Sequence, residues 1–144
     1  MADFPAALLS DYLAALAGKR WQPGALDCAV FMADWVHRLI GVDPIADIRG
    51  TYSTKKQFLR IERGEGGFAA SCARRLAACG FYQVDRPIAG DIAVVLSPYA
   101  QRRGKIQYRP TGAIAVDATR RAVITSDLGL VIAPLQTVKV YRHG

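Results

Sequence analysis

The hydrophobic pattern of this chain changes its period once, close to Gly80. Before that glycine, apolar residues recur at the three- and four-residue spacing of helices, and after it they form short runs typical of strands. No internal repeat or linker accompanies the change. The chain of 144 residues is therefore predicted to be one domain, 1–144, with a helical part over about residues 1–80 and a sheet part over about residues 88–143. The expected fold class is α+β.

The second predicted helix is the one that most shapes the fold. It runs from Cys28 to about Ile40 and is apolar on most of its sides, so we expect it to be central and buried. Asp27 precedes it as an N-cap and Gly41 follows it as a stop. The other predicted helices cover residues 4–17, a short turn opening at Asp43-Pro44, a segment ending near Arg63, and residues 68–79.

The second part of the chain is predicted to form a mainly antiparallel sheet of about five strands. Short apolar runs alternate there with turn residues. Pro98, Pro110 and Pro134 are expected to lie between strands, because proline cannot donate to a strand ladder. The predicted strands cover residues 91–96, 112–116, 122–125, 130–133 and 137–142.

A basic segment at about residues 97–110 separates the first two of these strands. It is long for a simple hairpin turn. We interpret it as an extended arm or loop that docks on a partner, with a solvated hairpin as the alternative. Its candidate binding residues are Arg102, Arg103, Lys105, Tyr108 and Arg109.

The net charge of +7 indicates an anionic partner, and nucleic acid, cell-wall polymer, a membrane surface or an acidic protein would all fit. No apolar run approaches the length of a membrane span, and the first residues lack the pattern of a secretory signal. We therefore expect a soluble protein made in the cytoplasm. Cys28, Cys72 and Cys79 are expected to be reduced, and no spacing of ligand residues indicates a metal or another cofactor.

Cys28 is the candidate nucleophile. A thiol in the first turn of a helix lies near free amides and the positive end of the helix dipole, which both favour the thiolate. Acyl transfer also needs a base, usually a histidine. His37 lies on the opposite side of the same helix, about 13 Å along its axis, and His143 lies beside the C-terminus, at a strand end where fraying is common. The sequence thus contains a nucleophile position without an evident base.

A cysteine at the start of a central helix, followed by an antiparallel sheet, resembles the papain-like NlpC-type cell-wall peptidases. The aromatic-Gly loop and Asp-Cys pair of that family are matched by Trp21 to Cys28, and its Gly-Asp strand by residues 90–95. The family's histidine opens the next strand, which here reads Thr111 to Val116. The resemblance implies a papain-like fold.

The chain is still more similar to a group of NlpC-like proteins encoded in the tail gene clusters of tailed phages and prophages. The resemblance implies a component of the virion tail, with Trp21 bordering the former substrate groove beside Asp27. The motifs that carry it stand here in the family's order over about residues 21–141, and they are Asp27-Cys28, Asp43-Pro44, Arg49-Gly50-Thr51-Tyr52, Gly66-Gly67, Gly90-Asp91 and Gly129 to Leu135.

Thr111, at the position of the family's histidine, is the departure that matters most. A threonine hydroxyl does not take up a proton near neutral pH, so it cannot serve as the base. We therefore expect a structural tail protein that docks on tail-tip or baseplate proteins and does not act as an enzyme. One alternative is an active cysteine peptidase or amidase that opens peptidoglycan during genome delivery, with His143 or a partner's histidine as base. Another is a nucleic-acid-binding module, although no helix-turn-helix, zinc or RNA-recognition signature supports it.

Overall fold

The computed structural model describes residues 3–144. These residues form helices and one sheet, so the prediction of an α+β fold is confirmed. The helices are α1 (Asp3–Ala15), α2 (Cys28–Ile40), α3 (Lys55–Gly64) and α4 (Phe68–Ala78). The strands are β1 (Phe81–Val84), β2 (Ile92–Arg102), β3 (Lys105–Ala115), β4 (Arg121–Thr125), β5 (Gly129–Ala133) and β6 (Thr137–His143).

Helix α2 is the buried centre of the helical part, as the sequence predicts. Phe31, Trp35 and Val36 are completely buried. The indole nitrogen of Trp35 donates a hydrogen bond of 2.8 Å to the carbonyl oxygen of Gly90, which ties the helix to the segment that leads into β2. Gly41 ends the helix in the left-handed conformation that a glycine adopts without strain.

The segment after α2 is predicted to open a short turn of helix at Asp43-Pro44. Residues 44–50 form consecutive turns there and do not continue into a regular helix. The Asp43 carboxylate accepts the amide of Ile45 at 3.1 Å and the guanidinium of Arg49 at 2.7 Å. The backbone contributes as well, because the amides of Ile48 and Arg49 both donate to the carbonyl oxygen of Ile45, at 3.0 and 2.8 Å.

The sheet is antiparallel throughout, in the order β1-β6-β2-β3-β4-β5. It has six strands where about five are predicted. The additional strand is β1, which pairs with β6 at one edge of the sheet. This strand has four residues, of which only Phe81 is buried. It is therefore too short to show the alternation of apolar and polar residues by which a strand is predicted from sequence.

The two faces of the sheet bury different residues. Ile92, Val94 and Ile114 belong to the large core on the helical side. On the other face, Ala93, Val95, Ala113 and Val123 form a smaller buried cluster, with the partly buried Val131 and Leu135 packed against it. This alternation fixes which side of β3 each residue occupies.

The predicted basic loop is instead an extension of two long strands. β2 and β3 remain paired out to Arg102 and Lys105, and the chain reverses at Arg103-Gly104. We call residues 97–110 the basic arm. This hairpin of extended strands fits both the arm and the solvated hairpin considered for the segment, and its role in docking stays a prediction.

The expectation that Pro98 and Pro110 lie between strands is wrong, whereas Pro134 does lie between β5 and β6. The amide of Leu96 donates to the carbonyl of Gln136, so the nitrogen of Pro98, two residues further along β2, also points away from β3. The amide of Ala115 donates to the carbonyl of Asp91 on the β2 side, so the nitrogen of Pro110, an odd number of residues away, points away from β2. Both nitrogens therefore face the outer edges of the arm. A proline there costs no ladder bond and protects the edge from pairing with another strand.

Candidate functional site

Asp27 fixes the start of α2 through a buried network. One carboxylate oxygen accepts the amides of Ala29 and Val30, at 3.0 and 2.9 Å. The other accepts the amide of Gly24 at 2.9 Å and the hydroxyl of Tyr52 at 2.5 Å. The side chain is completely buried, so Asp27 positions the site and has no surface with which to contact a ligand. Its place among the candidate binding residues is corrected accordingly.

The Cys28 thiol lies next to this network at the first position of α2. Burial, followed by the negative charge of Asp27, raises its pKa to about 12, whereas a hydrogen bond from the amide of Gly112 acts in the opposite direction. The expectation that the helix start favours the thiolate is therefore wrong. The Asp27 carboxylate occupies the amides of the first turn and adds a negative charge where the helix dipole alone would be positive.

A groove of about 600 Å³ opens at Cys28. Trp21, Phe58 and Glu62 line it on the helical side. The basic arm forms one wall, and the hairpin of β4 and β5 forms the other. The groove exists because β3 pairs with β4 only at Ile114 and Ala115. The part of β3 that precedes Ile114 and the part of β4 that follows Ala122 are not paired with each other.

Neither histidine lies in this groove. His37 is exposed in the last turn of α2, as expected. His143 ends β6 and packs its ring edge-on against Phe81, with the ring centres 5.3 Å apart. Neither one lines the cavity that contains the thiol. The alternative in which His143 supplies the base therefore has no support from the geometry.

Thr111, on β3, lines the same groove as Cys28. Its neighbour Gly112 faces α2, because a β-carbon at that position would lie 2.6 Å from the sulfur of Met32. Side chains alternate along a strand, so the Thr111 side chain lies with Ala113 on the opposite face. The group of β3 that contacts the thiol is the Gly112 amide, not the Thr111 hydroxyl.

A family model described as a domain of unknown function, DUF6950, matches residues 1–142. The chain belongs to the DUF6950 family. No curated protein and no solved structure matches it.

Glu62 is the functional candidate of this DUF6950 protein that sequence reasoning missed. It lines the groove beside Cys28, and burial raises the pKa of its carboxyl to about 7, with Arg109 acting in the opposite direction. Sequence reading treats a glutamate on a short polar helix as solvated. Only the packing of α3 against the groove brings it near the thiol, so no local signal could have identified it.

The remaining candidate binding residues of the DUF6950 protein fall into two groups. Trp21 and Arg109 line the groove, and the Arg109 guanidinium lies 5.3 Å from the centre of the Tyr99 ring. The other group is exposed on the basic arm outside the groove and comprises Arg102, Arg103, Lys105 and Tyr108.

The three cysteines of the DUF6950 protein are free thiols. Burial raises the pKa of Cys72 above its usual range, so this thiol is neutral and inert. Within residues 3–144, no three metal-binding side chains come together, and no helix is long and apolar enough to cross a membrane.

Proposed function

We propose that this protein is a structural component associated with a phage or prophage tail, built on an NlpC-like scaffold that lacks the base histidine. In this proposal it docks on tail-tip or baseplate proteins. The observation that carries the proposal is the state of Cys28, a neutral thiol in a groove without an imidazole. The order of the sequence motifs supplies the tail association.

The chemistry of the thiol argues against turnover. Burial and the charge of Asp27 hold the pKa of Cys28 well above that of a free thiol, so the thiol is neutral at about pH 7. The thiolate is the nucleophile in cysteine peptidases, and a neighbouring base normally generates it. A site that buries the thiol beside carboxylates suits a scaffold that retained the fold and lost the reaction.

The basic arm supports docking. Its exposed residues combine cations with Tyr99, Ile106 and Tyr108, each about half exposed. Aromatic and arginine side chains of this kind are typical of the centres of protein interfaces. Protected edges at Pro98 and Pro110 indicate that the arm is recognised through its side chains.

Two measurements test the proposal. The first incubates the purified protein and the Cys28→Ala variant with peptidoglycan and with D,L-dipeptides, and no product is expected from either. The second deletes the gene in the phage or prophage that encodes it and examines particles by electron microscopy. We expect defective tails, restored equally by the original gene and by Cys28→Ala. Turnover that disappears with Cys28→Ala would contradict the structural role.

One observation favours a peptidase as the second candidate. Glu62 lies in the same groove as Cys28, and a carboxyl with a pKa near 7 has the affinity for protons that a general base needs. If the protein cleaves cell-wall peptides, Glu62→Gln abolishes the activity as completely as Cys28→Ala does. Activity that survives Glu62→Gln rejects this carboxyl as the base.

A further inference from the structure

The separation of β3 from β4 leaves part of β4 without a partner. Ala122 pairs with Ile114, and the amide of Val116 donates to the carbonyl of Arg120. Residues two positions apart point the same way along a strand, so the amide and carbonyl of Ile124 also point towards β3. No residue of β3 pairs with Ile124 in the described part of the chain. Its backbone groups therefore face the groove.

The two walls of the groove differ in what they offer to an incoming strand. On the arm, Pro110 faces the groove and has no amide hydrogen, and the amide of Gly112 is directed at the Cys28 sulfur. On the other wall, Ile124 presents both a donor and an acceptor. A segment entering the groove can therefore pair with β4 and is prevented from pairing continuously with β3.

The side chains around this edge indicate the chemistry of such a segment. The lining contains the cations Lys55 and Arg109 and the carboxylates Glu62 and Asp127. The three further cations of the adjoining arm, Arg102, Arg103 and Lys105, have no acidic residue among positions 97–110 to balance them. Counted together with the arm, the groove therefore has five cations against two carboxylates.

Apolar groups line the same groove. Tyr99, Ile106 and Leu128 are exposed at its rim, with Leu128 79% exposed, and Val131 and Leu135 lie deeper. The aliphatic members of this lining offer packing surface to the aliphatic side chains of an incoming segment. The combination fits a peptide with alternating acidic and aliphatic residues.

We propose that the groove binds an extended acidic segment of a partner protein, which pairs with β4 at Ile124 and passes over Cys28 as an added strand. This proposal rests on the docking function above and names the chemistry of the docked partner. Alternate side chains of the segment enter the apolar groove, while the others meet Lys55 and Arg109. A groove of about 600 Å³ has room for two or three such side chains.

The test uses the whole protein and two fluorescein-labelled peptides of about nine residues, long enough for one strand. One alternates glutamate with valine, and the other alternates lysine with valine. Anisotropy is expected to show binding of the glutamate peptide, weakened about fivefold or more by Arg109→Ala. Arg60→Ala is the matched control, because Arg60 is exposed on α3 outside the groove, and it should leave the affinity within about twofold.

Hydrogen exchange of individual amides locates the peptide. The glutamate peptide should slow exchange of the Ile124 amide by about tenfold or more. The Val123 amide, which is directed to Val131 on β5, is the internal control and should not change. Equal binding of the lysine peptide, or binding without protection of Ile124, overturns the proposal. Preferential, salt-sensitive binding of an oligothymidine strand overturns it in favour of nucleic acid.

The same samples separate this inference from the proposed function. Mass spectrometry of the bound peptide shows whether it is cut. A glutamate peptide that binds at Ile124 and is cleaved by Cys28 supports the groove as the binding site and refutes the non-enzymatic role. A peptide that does not bind refutes the groove proposal and leaves docking through the arm intact.

Discussion

The phenol of Tyr52 donates a hydrogen bond of 2.5 Å to the carboxylate of Asp27, the residue that caps the helix carrying Cys28. This contact joins two sequence motifs that are 25 positions apart. Gly24 donates to the same carboxylate oxygen from the preceding loop. The preceding loop and the segment with Tyr52 therefore hold the first turn of α2 in place, and the position of the Cys28 thiol depends on both.

Asp27→Ala is expected to be strongly destabilising. The substitution removes the N-cap and leaves the amides of Ala29 and Val30, together with the Tyr52 hydroxyl, without their acceptor. Loss of a cap costs about 1 kcal/mol, and each buried group left unpaired adds about 1–3 kcal/mol. We expect a decrease of about 3 kcal/mol or more in the free energy of unfolding, measured by urea denaturation. A loss below about 1 kcal/mol would show that water replaces the carboxylate.

Tyr52→Phe is expected to have a smaller effect, because it removes one donor and leaves the backbone donors in place. A hydrogen bond to a charged group contributes about 1.5–3 kcal/mol, and we expect a loss in that range by the same measurement. Tyr99→Phe is the matched control, since Tyr99 is half exposed and its hydroxyl has no protein partner among the described residues. Equal effects of the two variants would contradict a specific role for the Tyr52 hydroxyl.

The pKa of Glu62 predicts an unusual dependence of stability on pH. The folded state raises this pKa from 4.5 to about 7, so it binds the proton more tightly than the unfolded chain does. The contribution to stability is complete below about pH 4.5 and is lost as the pH rises through 7. Glu62→Gln should therefore be more stable than the original protein at about pH 8, by about 1–2 kcal/mol after allowance for partial exposure. The two should differ little at about pH 4.

Glu65→Gln provides a control of opposite sign. Hydrogen bonds from Arg75 and Ser71 lower the pKa of Glu65, so its contribution to stability is present above its ordinary pKa and is lost in acid. Glu65→Gln should consequently destabilise the protein at about pH 8. Urea denaturation at about pH 4 and about pH 8 measures the free energy of unfolding of both variants. If the two substitutions change this free energy in the same direction at about pH 8, the Glu62 carboxyl is not desolvated by the fold.

The helices could be predicted from the sequence because their signals are local. Thr54 caps α3 through a capping box with Gln57, and Gly41 ends α2. Both signals can be recognised in the sequence, because they are particular residue types at fixed distances from the helix ends. The strands of the basic arm could not, because a proline is normally read as a strand boundary. Pro110 is compatible with β3 only because its nitrogen faces an edge left open by the divergence of β4, which is a property of the whole sheet.

The candidate site was also predictable only in part, because some of its properties depend on contacts between distant segments. The capping of α2 by Asp27 follows from adjacent residues. The neutral state of Cys28 follows first from burial, then from the adjacent Asp27 carboxylate and, to a smaller extent, from Glu62 on α3. The burial and the Glu62 contact depend on the whole fold, so a helix-dipole argument alone gives the wrong direction for the pKa of Cys28.

The contact between Gly112 and Met32 predicts a coupled pair of substitutions. A β-carbon at position 112 would lie 2.6 Å from the sulfur of Met32 and 2.8 Å from its Cγ. We expect Gly112→Ala to cost about 1–3 kcal/mol through overpacking, and to cost much less when Met32→Ala supplies the space. A double-mutant cycle by urea denaturation measures the coupling. Gly64→Ala is the control, because its position in α3 has open space around it, and it should be neutral or stabilising. Additive effects of the substitutions at positions 112 and 32 would exclude the contact.

The reactivity of Cys28 is the prediction that decides the nature of the site. Labelling with iodoacetamide follows the thiolate, so at about pH 7 it should be at least about tenfold slower than that of a free thiol. The measurement uses Cys79→Ser as the background, because Cys79 is partly exposed and Cys72 is buried. Mass spectrometry then reports the rate for Cys28.

Slow labelling alone would also result from restricted access, and the dependence on pH separates the two causes. A thiol with a pKa of about 12 labels faster with each unit of pH up to about pH 11, whereas an ordinary thiol reaches a plateau soon above pH 9. Glu62→Gln removes a negative charge that raises this pKa, so it should increase the rate for Cys28 without changing that of a free thiol added to the sample. A plateau at or below about pH 7 would mean that the folded protein forms the thiolate readily, and the peptidase would then become the better assignment.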